Sequence, residues 1–139
     1  MASLSRNRLL FCTFCILFFS VSFLHAEHFS WQSSYESARV LAHKEHKNIL
    51  VLLLDKHTPQ TNKIIQESFI NQEYLVELKK KFIGVIVLKD TKESYPIELL
   101  YTQTFPSLFF LSTEELFLCE PLEGIITPQK IQKKLSCCR

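Results

Sequence analysis

The chain has 139 residues, 47% of them hydrophobic and 22% charged, with 16 Lys and Arg against 14 Asp and Glu. That is enough apolar material for one core, and the charge is too balanced for a nucleic-acid surface, which needs a clustered basic face. Five cysteines, an odd number, exclude a fully paired disulfide framework within one chain.

Taken from the N-terminus, Arg6 and Arg8 precede an apolar run from Leu9 to Phe23, and Leu24-His25-Ala26 ends it on a small residue. This is the layout of a secretory signal peptide cut after Ala26, so residues 1–26 are expected to be removed and 27–139 to form one exported domain. Leu24, where a small residue is usual, leaves an uncleaved signal-anchor as the alternative. Cys12-Thr13-Phe14-Cys15 lies inside the apolar run and is not a redox motif. Cleavage removes two basic residues and leaves 14 basic against 14 acidic, with no further membrane span expected.

Ser33-Ser34-Tyr35-Glu36 fits a capping box, and Trp31, Tyr35, Ala38, Leu41 and Ala42 recur at helical spacing. The unbroken run Ile49 to Leu54 is too short to cross a membrane and well sized for a buried parallel strand. Thr58-Pro59 then reads as an N-cap with proline at the first helical position, opening a helix that carries Ile64, Ile65 and Phe69 inward. Asn71 is expected to cap a third helix over Gln72 to Lys81, with Tyr74, Leu75 and Leu78 on its inner face. Phe82 to Leu88 is a second strand, parallel to the first because a helical connection joins them.

A polar loop follows, then a short helix at Pro96 to Tyr101. Leu108 to Leu111 is a third strand, turning at Ser112–Glu115 into a fourth at Leu116 to Cys119. Thr127-Pro128 opens a final helix with Ile131 and Leu135 on its apolar face. No repeat, linker or low-complexity tract divides the chain.

A strand, a short loop and a helix opening on Thr-Pro is the layout of a thioredoxin-type active site. The pattern Trp31, Tyr35-Glu-Ser-Ala38, Ala42 and Lys47-Asn-Ile-Leu-Val, with Gln66-Glu-Ser-Phe69 after the helix start, resembles exported thioredoxin-like proteins related to the DsbD C-terminal domain. The resemblance covers residues 28–136 and implies an α/β thioredoxin fold, a central mixed four-stranded sheet flanked by helices. In that family the helix opens with Cys-x-x-Cys. Here the two redox positions are Thr58 and Thr61, the usual Trp before the first cysteine is His57, and the buried Asp of the central strand is Leu52. A threonine hydroxyl neither ionises usefully nor forms a disulfide, so the resemblance implies the scaffold of a redox site without its sulfurs.

One family feature is present. Phe105-Pro106 stands where the family carries a cis-proline beside the active-site turn, and the residue before it pairs its backbone with an extended substrate segment. The implied binding groove consists of His57, Thr58, Pro59, Phe105 and Pro106; a purely architectural role for Pro106 weighs equally.

Weaker candidates have blander readings that are preferred. His43 and His46 have no third ligand nearby in sequence and read as a solvated helix end, so no metal or other cofactor is called for. Thr58 and Thr61 read as helix caps before they read as an anion site. Cys119, Cys137 and Cys138 are the candidate reactive thiols of the mature chain. The preferred reading is a buried Cys119 and two thiols on a loose tail; a bond from Cys119 to one of the pair, or between chains, stays open.

The reading adopted is a redox-inactive, periplasmic or otherwise exported module that binds a peptide or protein partner, as a chaperone would. The alternatives are an isomerase-like thiol enzyme working through Cys119, Cys137 or Cys138, and a structural subunit of an envelope complex.

Overall fold

The computed structural model describes residues 28–92 and 94–138; the signal-peptide expectation lies outside them. In chain order the elements are β1 (Trp31–Gln32), α1 (Tyr35–Glu45), β2 (Asn48–Leu54), α2 (Thr61–Phe69), α3 (Leu75–Lys81), β3 (Phe82–Leu88), β4 (Ser107–Leu111), β5 (Leu122–Glu123) and α4 (Pro128–Cys137). The five strands form one mixed sheet in the order β1-β3-β2-β4-β5.

The apolar run 49–54 sits at the sheet's centre, parallel to β3 and antiparallel to β4. Its side chains alternate between two cores, as the period of two requires. Leu50, Leu52 and Leu54 pack with Phe69, Leu75, Leu78, Phe110, Ile131 and Leu135, under α2, α3 and α4. Ile49, Val51 and Leu53 pack with Tyr35, Ala38, Ala42, Leu100 and Phe109, under α1 and the segment before β4. A strand buried on both faces has no polar alternation to show, which is why it reads as a continuous run.

Two strands differ from the expectation. Trp31 is not on the helix face; it pairs with Gly84 as an edge strand, so the sheet has five strands rather than four. Its ring packs edge-on to Phe29 at 4.9 Å and to Phe69 at 4.8 Å. Gly84 is what admits them, because a Cβ there would lie 2.0 Å from Phe29 Cε1. The hairpin's return strand also differs. Leu116–Cys119 makes only a bridge between Phe117 and Leu111, and the ladder resumes two residues out of step at Leu122 opposite Leu108. Pro121 has no N–H to donate, and Cys119 is drawn aside into a disulfide with Cys138. The expected tail with two free thiols is therefore corrected: Cys138 is buried and bonded, and among the described residues Cys137 is the one free thiol, and it is exposed.

Helix boundaries shifted where side chains captured backbone groups. The α1 capping box is Ser34 with Ser37, each taking the other's N–H at 3.1 and 3.2 Å. Glu36 instead faces Arg39, three residues on, at 2.6 Å. Asn71 does not cap α3. It adopts a left-handed φ of 55°, after which Gln72 Nε2 and the Tyr74 hydroxyl donate to the last carbonyls of α2, at Glu67 and Ser68. The segment Pro96–Tyr101 forms a turn rather than a helix, with the Leu99 and Leu100 N–H groups both on the Pro96 carbonyl. On the far side, Tyr35 donates its hydroxyl to Glu115 at 2.8 Å. Burial, and then that bond, pushes its phenol far above the ordinary range, so it stays a donor.

Candidate binding groove beside Pro106

The site is built where β2 ends. Asp55 closes a tight turn: the Thr58 N–H donates to the Asp55 carbonyl at 2.8 Å, and the Asp55 N–H returns to Thr58 Oγ1 at 2.9 Å. The Asp55 carboxylate also takes the His57 N–H at 2.8 Å, an Asx-type contact. This local network competes with helix initiation and wins. Gln60 follows with a left-handed φ of 70°, and α2 begins at Thr61 rather than at the expected Thr58-Pro59. Thr58 therefore caps the turn, not the helix, and Thr61 Oγ1 donates to the Thr58 carbonyl at 3.3 Å. Thr58, which the sequence resemblance aligns with a first redox cysteine, thus has neither a sulfur nor the helix N–H groups that would activate one.

Across a narrow gap stands the loop entering β4. The Phe105–Pro106 bond is cis. On one side the Gly124 N–H donates to the Pro106 carbonyl at 2.8 Å and extends the β4–β5 pairing. Gly124 has φ +76, the left-handed region that favours glycine. On the other side the ladder to β2 stops at Ser107 opposite Leu53. Among the described residues neither the N–H nor the C=O of Phe105 has a hydrogen-bond partner. The half-buried Phe105 ring carries the Lys89 ammonium 5.2 Å from its centroid, a cation–π contact.

Between these loops lies a cavity of about 460 Å³ whose lining includes Thr58, Pro59, Ile64, Phe105, Pro106 and Ile126. Four of the five residues that the sequence assigns to a groove, Thr58, Pro59, Phe105 and Pro106, thus meet at one surface. His57 is exposed and outside the lining. The wall formed by Gly124 to Thr127 was not anticipated. Its one local signal is Gly124 ahead of the Thr127-Pro128 cap, which marks a turn but not what the turn faces. Lys63 and Glu67 face each other along α2 at 3.8 Å, so the rim carries both charges.

The remaining candidates lie elsewhere. Cys119 and Cys138 tie the hairpin bulge to the end of α4, and Cys137 is the last residue of that helix. His43 is exposed on α1, and His46 ends that helix in a left-handed conformation. Among the described residues no cluster of three His, Cys, Asp or Glu is placed to hold a metal, and no helix is long and apolar enough to cross a membrane.

The order of strands and helices and the cis-proline beside a strand-loop-helix turn define the thioredoxin fold. Solved structures agree. The chain superposes on the DsbH oxidoreductase with a TM-score of 0.64 at 17% identity, covering 86% of this chain and 90% of that one. A thioredoxin from Thermus thermophilus gives 0.59 at 17% identity, covering 78% and 85%. The oxidised DsbD C-terminal domain of Neisseria meningitidis gives 0.54 at 13% identity, covering 75% and 91%. No protein-family model and no curated protein matches the sequence.

Proposed function

We propose that this is an exported thioredoxin-fold protein that binds extended peptide or protein segments at the Phe105–Pro106 groove, without thiol chemistry at that site. The observation that carries the reading is the pairing of an open Phe105 backbone with a cavity that Ile64, Pro106 and Ile126 help to line, opposite redox positions that hold only threonine. An extended segment supplies the missing strand partner to Phe105 and buries side chains against Ile64 and Ile126. The leader pattern of Arg6, Arg8 and the apolar run to Phe23 supports export. The thiol-enzyme alternative loses two of its three mature thiols to the Cys119–Cys138 bond.

The test is a fluorescence-anisotropy titration of an extended, cysteine-free apolar peptide against the full-length chain and its Phe105→Asp variant. Losing the burial of an aromatic side chain costs about 1.5–3 kcal/mol, so binding should weaken roughly 10- to 100-fold. Circular dichroism should show the variant folded, and Phe105→Ser serves if the aspartate disturbs packing. Equal affinity in a folded variant would remove the Phe105 side chain from the contact and sink the reading of this groove as the binding surface.

A further inference from the structure

Beside its buried stripe of Ile131 and Leu135, α4 presents a second one. Lys130, Lys134 and Cys137 stand at i, i+4 and i+7, with Lys133 next to them. Pro121, Leu122 and Ile125 form the facing wall, and the two walls enclose a cavity of about 360 Å³. Lys130 Nζ donates to the Ile125 carbonyl at 2.8 Å, which ties the walls together and leaves the ammonium two further N–H groups. Neither Lys133 nor Lys134 has a hydrogen-bond or ion-pair partner for its ammonium among the described residues. Glu123, the one carboxylate of the lining, accepts from the Thr102 hydroxyl at 2.6 Å. The other helices neutralise their own charge, through Arg39 with Glu36, Lys63 with Glu67 and Lys81 with Glu77. α4 carries no acidic residue, so its lysines are left to a ligand.

Like charges held around one concavity favour an anion as occupant. The same lining includes the exposed thiol of Cys137, so an anion held there can also be a reactant. We infer that this cavity is an exchange site at which Cys137 takes up one half of a small acidic disulfide, such as that of a short cysteine peptide with free carboxylates. Lys133 and Lys134 hold the carboxylates by charge-assisted hydrogen bonds, and Leu122 and Ile125 face the apolar part. The Cys137 sulfur, as thiolate, attacks one sulfur of the disulfide. The old S–S bond breaks as the new one forms, and the second half leaves as a thiolate that takes up the proton Cys137 gave to solvent. Cys137 is oxidised and the released half is reduced, so no other oxidant enters. Cys119 and Cys138 stay bonded to each other throughout. The lysines select the disulfide by its charge, and the site is separate from Thr58, Thr61 and the Phe105–Pro106 groove.

The test mixes the full-length chain, without reductant and at low salt, with glutathione disulfide, bis(hydroxyethyl) disulfide or cystamine, which are anionic, neutral and cationic. Peptide mapping by mass spectrometry reads the rate of mixed-disulfide formation at Cys137 alone. Each rate is divided by that of an unstructured, uncharged cysteine peptide with the same reagent. The normalised rate should be about tenfold or more higher for the anionic reagent than for the neutral one, and lowest for cystamine. Salt at about 1 M, where the screening length falls to about 3 Å, should remove most of that preference. Lys133→Gln with Lys134→Gln should remove it at low salt and change the neutral reagent's rate by less than about twofold. Lys133→Arg with Lys134→Arg, which keeps the charge, should retain it. Equal normalised rates for the three reagents, a preference indifferent to salt, or one that survives the glutamine pair overturns the site and leaves the peptide groove untouched.

Discussion

Replacing both Cys119 and Cys138 by alanine should lower the unfolding midpoint by roughly 10–20 °C. The bond closes a segment with a sequence separation of 19, for which loop-closure entropy gives about 3 kcal/mol. In a domain of about 100 residues, each kcal/mol moves the midpoint by about 4–8 °C. The effect reaches the groove as well. The bond fixes the bulge before β5, and β5 leads into Gly124–Ile126, the wall facing Pro106. Peptide affinity should therefore weaken along with stability. Dithiothreitol on the wild type should reproduce the shift. In its absence, peptide mapping after alkylation should find Cys137 modified and Cys119 and Cys138 protected. A midpoint indifferent to reductant would contradict the pairing.

Cysteines at Thr58 and Thr61 should convert a silent protein into a redox-active one. Wild type should reduce insulin no faster than dithiothreitol alone, because neither position carries a thiol and a threonine hydroxyl cannot exchange with a disulfide. Thr58→Cys with Thr61→Cys supplies an attacking and a resolving sulfur at the family's spacing, so turnover should rise clearly above background. It should stay below that of a thioredoxin. The turn closed by Asp55 and the left-handed Gln60 place the first thiol ahead of the helix instead of on its N–H groups, which holds its pKa near that of an ordinary cysteine. Wild-type turnover above background would move the chemistry to Cys119, Cys137 or Cys138, all of them thiols in dithiothreitol, and overturn the account of the site. A double variant as fast as thioredoxin would show that the turn rearranges freely.

What was legible in the sequence was whatever one segment decides alone. The runs at 49–54 and 82–88, the Thr127-Pro128 cap and the inner face of the last helix all read directly, because burial on both faces or a local cap fixes them. What was not legible depends on distant partners. Trp31–Gln32 is a strand only because Gly84 leaves room for the rings beside it. The hairpin's second half is displaced by a bond to a cysteine 19 residues away, and no spacing rule selects Cys138 over Cys137. The late start of α2 is a local competition that the Thr-Pro signal concealed, since Asp55 captured Thr58 first. For the groove, Thr58, Pro59, Phe105 and Pro106 followed from the family resemblance. The Gly124–Ile126 wall arises from loops meeting across the sheet's end, which no sequence window spans.

The most direct measurement is the affinity of a cysteine-free, extended apolar peptide for the full-length chain before and after its accessible thiols are alkylated. Non-covalent capture at the Phe105–Pro106 groove predicts the same dissociation constant in both states, since Cys137 is the one free thiol among the described residues and lies outside the groove's lining. Loss of binding on alkylation would contradict the account and make a cysteine part of the contact.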